Sequence, residues 1–309
     1  MSRSQKTIAV LMGGWSDERE VSNSSGHMIA TALENCGYAV KRIDVTRDIQ
    51  NLLDHLNPQP DIVFNALHGR WGEDGRIQSI LDILGIPYTH SGVLSSALCM
   101  DKGVARDILM SQGLSCAEGF VAKVDDILRQ EPMSRPYVLK PLQEGSSVGV
   151  SIINSDEDLD HWKKQWRYGG QVLVERYIPG KEIHVAVMGD RALGAIEIRP
   201  KKGFYDYEAK YTEGKADHVM PADLDRSQYD EVLNLALKAH KALKCEGVSR
   251  VDFRLDNVNE NPGKFYVLEV NTQPGMTPLS LVPEIAAYAG VSFEELLQWM
   301  IENPKCPEH

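Results

Sequence analysis

The chain has 309 residues, 42% hydrophobic and 25% charged, with 33 Lys and Arg against 44 Asp and Glu for a formal charge of −11. The length predicts two or three domains with large cores, and the composition excludes a disordered chain. The acidity excludes broad binding to nucleic acid or to an anionic membrane, leaving room for a local basic pocket that holds a phosphate.

Thr7 to Met12 reads as a short buried strand ending in the turn Gly13-Gly14, and Asp61 to Leu67 as a second strand before the loop HGRWGEDG. In GRIQSILDILG, Ile77, Ile80, Leu81 and Leu84 line one helix face that Gly85 stops. Alternating strand and helix favours a parallel sheet, with ligands gathering in loops past the C-terminal strand ends. Loops 13–20 and 68–75 are so placed. The middle of the chain turns to an α+β pattern, with strands over Tyr137–Lys140, Val148–Ile153, Val172–Tyr177 and Glu182–Met188 and a helix over Asp156–Trp166. After a strand over Ala192–Ile198, the stretch from Pro200 to Pro221 has no periodicity, a length more often functional than accidental. A helix over Ser227–Leu243 follows, then strands Arg250–Leu255 and Phe265–Asn271 joined by NVNENPG, and a capping box from Ser292 to Glu295 that starts the last helix. Cys36, Cys99, Cys116, Cys245 and Cys306 are scattered without a CxxC, and no apolar run reaches the length of a membrane span. A soluble, cytoplasmic protein with reduced thiols is expected.

Four stretches carry candidate chemistry. In the terminal strand pair, Arg250 and Asp252 share one face and Glu269 and Asn271 share another. If those faces coincide, two carboxylates and an amide oxygen converge beside an arginine, hard ligands suited to Mg²⁺ carrying phosphates. Alternation alone leaves open a merely solvated sheet face. The loop Glu144-Gly-Ser-Ser-Val-Gly149, just after Lys140, offers backbone N–H groups to an anion, with a plain hairpin turn as the alternative. GGWSDEREVS at 13–22 opens a helix with acids; Glu20 would accept an ammonium group, or serve only the helix dipole. The aromatic- and lysine-rich KKGFYDYEAKYTEGKAD is either a lid or a surface loop.

Taken together and in order, GGWSDEREVS, HGRWGEDG, MDK at 100–102, EGSSVG, FYDYEAKY, RVDF and EVNTQPGMTPLSLVP resemble the D-alanine–D-alanine ligases, a family of ATP-grasp enzymes. The resemblance runs from Ile8 to about Leu297. It implies an α/β and α+β chain: an N-terminal parallel-sheet domain over 1–98, then a two-lobed ATP-grasp fold with a central lobe over 99–184 and a C-terminal lobe over 185–309 that carries lid loop 200–221. The implied reaction is ATP-dependent ligation of two D-alanines through a D-alanyl phosphate, supplying the dipeptide for peptidoglycan.

By the same resemblance Lys102 and Lys140 contact ATP phosphates, with Ser147 beside them, and Lys210 reaches the γ-phosphate. Glu175, Arg176 (through its backbone) and Ile178 belong to the adenine pocket, and Glu182 binds ribose. Asp252, Glu269 and Asn271 match ligands of two Mg²⁺ ions, with Mn²⁺ as a substitute, and Arg250 and the Gly275 N–H match oxyanion donors. Glu20 would take the first substrate's ammonium group, His68 its carboxylate, and Ser280 and Leu281 the second substrate's carboxylate at a helix start. Ser146, Tyr211 and Glu20 would form a hydrogen-bonded set that orients the lid, and Tyr211 favours an amine over a lactate hydroxyl as nucleophile. The alternatives are a ligase of the same fold using D-lactate or D-serine, and a nucleotide-binding module without catalysis. A homodimer is implied, with D-alanine and ATP as small-molecule partners and neither nucleic acid nor membrane.

Overall fold

Thr7–Gly13 (β1) is the central strand of a three-stranded parallel sheet in the computed structural model, which describes residues 6–201, 212, 214–258 and 263–306. Its neighbours are Ala39–Val45 (β2) and Ile62–Asn65 (β3), in the order β2-β1-β3. β1 is apolar at nearly every position because both faces are covered. Ile8, Val10 and Met12 pack with Ile29 and Leu33 of helix Arg19–Asn35 (α1), while Ala9 and Leu11 pack with Leu52 of Ile49–His55 (α2) and Leu81 of Arg76–Leu84 (α3). α3 ends at Gly85, whose φ of 67° is the left-handed conformation expected of a helix stop. The first face also meets Ile196, Ile285 and Leu297, so one apolar cluster joins the start of the chain to its end.

Val93–Met100 (α4) and Lys102–Ser111 (α5) lead into the second sheet, and Asp101 caps α5 by accepting from the Gly103 and Val104 N–H groups. That sheet contains Gly119–Lys123 (β4), Tyr137–Lys140 (β5), Ser151–Ile153 (β6) and Gln171–Arg176 (β7), ordered β4-β7-β5-β6 with antiparallel pairing. Val124–Arg129 (α6) and Asp156–Gln165 (α7) accompany it, and Leu159 and Trp162 of α7 pack with Tyr137 and Leu139. The strand expected from Val148 begins only at Ser151. Ser146, Ser147 and Gly149 have φ of 50°, 59° and 72°, and Val150 N–H bonds back to Ser147 O, so the chain is still turning through these positions.

The third sheet holds Lys181–Met188 (β8), Arg191–Pro200 (β9), Ala216–Val219 (β10), Val248–Asp256 (β11) and Lys264–Asn271 (β12), ordered β10-β9-β8-β11-β12. β10 lies inside the stretch read as aperiodic, where its four residues pair with 197–200 of β9. So short an edge strand shows no alternation in sequence. Lid residues 202–211 and 213 lie outside the described residues, and Lys210 and Tyr211 with them. Arg226–Ala242 (α8) covers one face of the sheet, where Val185, Val251 and Phe253 meet Val232 and Ala236. Leu281–Tyr288 (α9) and Phe293–Glu302 (α10) close the chain, α10 with the expected capping box between Ser292 and Glu295.

Candidate active site

The face of the third sheet turned away from α8 is packed by α9 at one end and carries the polar residues of the terminal strands at the other. In the register, Asp252 lies opposite Glu269 on β12 and His184 on β8, and Arg250 lies opposite Asn271. These side chains therefore share one face, and Val251, Phe253 and Leu255 take the other into the core. A β-bulge at this point makes Phe253 oppose Val267, which leaves Leu268 as an extra residue. Leu268 and Glu269 consequently both line the same cavity.

That cavity has a volume of about 300 Å³ and lies between the second and third sheets. β5 gives it Val138 and Lys140, β7 gives Glu175 and Arg176, and the connector to β8 gives Ile178. Glu182, Asp252 and Glu269 close it from the third sheet, with Lys102 at the start of α5 and Ser147 in the loop after β5. Nine sequence-predicted residues thus come together: Lys102, Lys140, Ser147, Glu175, Arg176, Ile178, Glu182, Asp252 and Glu269.

Charges alternate along its walls. Lys140 Nζ is 2.6 Å from Glu175 Oε2, with Arg106 at 3.6 Å on the other oxygen. Lys102 Nζ donates to the Glu144 carbonyl and stands 3.7 Å from Glu269. Arg250 donates both Nε and Nη2 to Asp252, at 2.6 and 2.7 Å, and its Nη2 is 3.8 Å from Glu269. His184 Nδ1 is 2.7 Å from Asp252, and its Nε2 is 3.2 Å from Glu182, which also accepts from Arg254 at 3.3 Å. Burial opposes ionisation of Asp252, only 3% exposed, but Arg250 and His184 outweigh it and hold the carboxyl well below the usual range. Burial likewise opposes the charged form of His184, and Asp252 and Glu182 raise its pKa regardless. His184 and Leu268 were not found by sequence reasoning. The alternation along Glu182–Met188 that placed Glu182 also puts His184 on its face, and the apolar pair Val267-Leu268 marked the bulge.

The donor set suits a hard divalent cation that brings its own phosphate ligands. Asp252, Glu269 and Asn271 present oxygens from adjoining strands, and Glu269 is the carboxylate least committed to a protein partner. Asn271 Oδ1 accepts the Gln273 N–H at 2.7 Å and keeps a second lone pair. No three His, Cys, Asp or Glu side chains among the described residues form a closed metal cage. Mg²⁺ usually takes one or two carboxylates and fills its remaining positions with phosphate and water, which fits this arrangement.

A second group lies at the C-terminal edge of the parallel sheet. His68, buried in the loop after β3, has Nε2 3.1 Å from Ser25 Oγ on α1 and Nδ1 3.2 Å from Glu73. Ser25 Oγ also accepts the Met276 N–H at 3.2 Å, which ties α1 to the segment containing Gly275. Ser280 is the N-cap of α9 and Leu281 its first residue; the Ser280 hydroxyl accepts from Thr277 N–H at 2.9 Å.

The expectation for Glu20 is corrected here. Glu20 is exposed in the first turn of α1, whereas Glu18, at its N-cap, is 6% exposed and accepts a hydrogen bond from the Ser146 hydroxyl. A residue just before a helix has left the helical path and can turn its side chain back over the preceding loop; one within the first turn projects outward. The acid partnered with Ser146 is therefore Glu18.

Residues 118–302 match a family model described as D-ala D-ala ligase C-terminus, and residues 49–91 one described as D-ala D-ala ligase N-terminus. The chain is 52% identical over 307 residues to a D-alanine–D-alanine ligase of Rhizobium meliloti, covering 98% of this chain and 99% of the relative. It is 49% identical over 302 residues to that of Granulibacter bethesdensis, covering 97% and 98%. Among solved structures, the ATP complex of D-alanine–D-alanine ligase from Bacillus anthracis is similar at a TM-score of 0.81 and 33% identity, covering 97% of each chain. The VanG D-Ala:D-Ser ligase from Enterococcus faecalis is similar at 0.80 and 30%, covering 97% of this chain and 99% of that one.

Proposed function

The chain belongs to the D-alanine–D-alanine ligase family, and from that premise we propose how its residues divide the work of joining two D-alanines at the expense of ATP. Three units are assigned: an N-terminal domain over 1–98, a central lobe over 99–184 and a C-terminal lobe over 185–309. The observation that carries the reading is the cavity between the second and third sheets, whose walls bring Lys102 and Lys140 together with Glu175, Glu182, Asp252 and Glu269.

In this reading Val138, Ile178 and Leu268 hold the adenine, with Glu175 and the Arg176 backbone at its polar edge, and Glu182 takes the ribose hydroxyls. Lys102 and Lys140 meet the phosphates beside the backbone of Ser147, and Lys210 is assigned to the γ-phosphate. Asp252, Glu269 and Asn271 would hold Mg²⁺, which when bound neutralises and aligns phosphate oxygens. The first D-alanine lies between Glu18, which takes its ammonium group, and His68, which faces its carboxylate. That carboxylate attacks the γ-phosphate, giving D-alanyl phosphate and ADP. The chain's contribution is positioning and charge, as phosphoryl transfer requires.

The second D-alanine docks its carboxylate at the α9 N-terminus, at Ser280 and Leu281, where unpaired N–H groups favour an anion. Its amine then attacks the acyl phosphate carbonyl, the oxyanion is met by Arg250 and the Gly275 N–H, and phosphate leaves. Glu18, Ser146 and Tyr211 form the set that orients the closed lid. Closure matters because an acyl phosphate open to water is hydrolysed. The dipeptide serves peptidoglycan synthesis. A cytoplasmic location is supported by the need for ATP and by five free thiols, and a homodimer is carried over from the resemblance. No helix among the described residues is long and apolar enough to cross a membrane.

The test is phosphate release from ATP and Mg²⁺ with D-alanine, L-alanine or no amino acid, together with product mass. Release that depends on D-alanine and yields D-alanyl-D-alanine is expected. ATP turnover without dipeptide would move the second substrate to D-lactate or D-serine, and no turnover would leave a nucleotide-binding module.

A further inference from the structure

Gln273 lies directly beyond β12, between Asn271 and Gly275, and is only 1% exposed. Its backbone N–H donates to Asn271 Oδ1 at 2.7 Å, which fixes the plane of that amide. Its side chain reaches a different part of the molecule. Oε1 accepts from Asn65 Nδ2 at 2.7 Å, at the end of β3, and Nε2 donates to the Leu67 carbonyl, one residue before His68. Asn65 grips the same loop elsewhere: its Nδ2 donates to Gly72 O at 3.0 Å and its Oδ1 accepts from Leu67 N–H at 3.2 Å. The Gln273 side-chain amide thus uses both donor and acceptor across a joint spanning more than 200 residues of sequence, while Asn65 gives its donor to the joint and its acceptor to its own loop.

We infer that Gln273 is a positioning residue for the ligation, setting the His68 loop against the segment that carries Asn271 and Gly275. The inference rests on the functional reading above, in which His68 faces the first D-alanine and Gly275 meets the oxyanion formed from that same molecule. The two groups act on one small substrate but come from opposite ends of the chain, so something must fix their separation. An apolar side chain at position 273 would let the joint slip, would take the Gln273 donor from the Leu67 carbonyl and would cost the Asn65 amide one of its donated bonds. Misplacement of about 1 Å at a remote position is enough to cost a large factor in rate. Ser25, bonded to both His68 and Met276, supplies a parallel tie between the same two segments that the variants below leave in place.

The experiment compares wild type, Gln273→Met and Gln273→Glu in dipeptide formation, separating KM for the first D-alanine, KM for ATP and kcat, with thermal midpoints alongside. Gln273→Met is expected to raise the first-site KM and lower kcat, each on the order of tenfold, with KM for ATP unchanged. In Gln273→Glu the introduced carboxylate faces the Leu67 carbonyl and repels it. The first-site KM should therefore rise and kcat fall as in Gln273→Met, again with KM for ATP unchanged.

Wild-type kcat and first-site KM in both variants would overturn the inference even if the thermal midpoints moved. So would a common loss tracking only the folded fraction, which is what a plain structural staple predicts. Should Gln273→Met fail to fold, the split between first-site KM and KM for ATP in Gln273→Glu decides alone. A wild-type chain that makes no dipeptide would overturn the functional reading itself, and this inference with it.

Discussion

Glu18 and Glu20 are two residues apart and chemically identical, yet Glu18 is buried against Ser146 and Glu20 faces solvent. Glu18→Gln should therefore lower kcat/KM for D-alanine on the order of a hundredfold, whereas Glu20→Gln should leave it within about twofold. Phosphate release at varied D-alanine reads both, and equal losses would return Glu20 to the site. His90 illustrates a different residue-scale effect. Its φ of 71° is one a glycine adopts freely, and its ring is 3% exposed with the edge contact of Phe64 5.8 Å away. Burial, aided by His68 and opposed by a backbone bond at Val248, lowers its pKa from 6.5 to about 3. His240 is lowered to about 4, chiefly by burial. Because the unfolded chain binds these protons first, stability is present above pH 6.5 and drains away as pH falls below it. Each such histidine contributes a slope approaching about 1.4 kcal/mol per pH unit. Denaturant titrations between about pH 4.5 and 7 should show His90→Gly losing one proton's worth of that slope; an unchanged slope would mean that His90 is not held neutral.

At the scale of elements, the loop from Glu144 to Gly149 is shaped by what it must approach. A Cβ added at Gly145 would stand 2.8 Å from Glu18 Oε2, and one at Gly149 2.4 Å from the Tyr168 ring. Gly145→Ala should push the loop away from Glu18, raising the first-site KM for D-alanine while barely moving the thermal midpoint. An unchanged KM would show that the loop's close approach is dispensable. The local grammar of other elements was legible in the chain: the Ser292–Glu295 capping box and the Gly85 stop both rest on neighbouring atoms alone. The break in alternation at Val267-Leu268 was legible too. Its meaning was not, because a bulge exists only relative to a partner strand, here β11. Likewise Val148–Ile153 has the composition of a strand, but pairing with β5 begins only after the loop has finished turning.

At the scale of the molecule, ligand binding and stability are linked through the cavity between the second and third sheets. A nucleotide held by residues of both sheets should stabilise them together. ATP with Mg²⁺ at one hundred times its Kd is expected to add about 2.7 kcal/mol to the unfolding free energy, read as a rise in the thermal midpoint. A midpoint that ignores ATP would remove the nucleotide from this cavity. The apolar cluster running from β1 to α10 also means that the first and last segments are one packing unit, which no window of sequence displays.

The sequence by itself determined the family, the alternation of strand and helix at the start, and the residue types on each face of the terminal strands. These are local or ordered features, set by side-chain period, turn chemistry and motif order. Only the tertiary structure decided which acid of α1 meets Ser146, that the polar face of β11 and β12 looks into a cavity rather than water, and that Gln273 reaches Asn65 and Leu67. Each of these depends on the direction in which a side chain leaves the backbone and on partners far away in the chain. Residue identity carries neither, and packing supplies both.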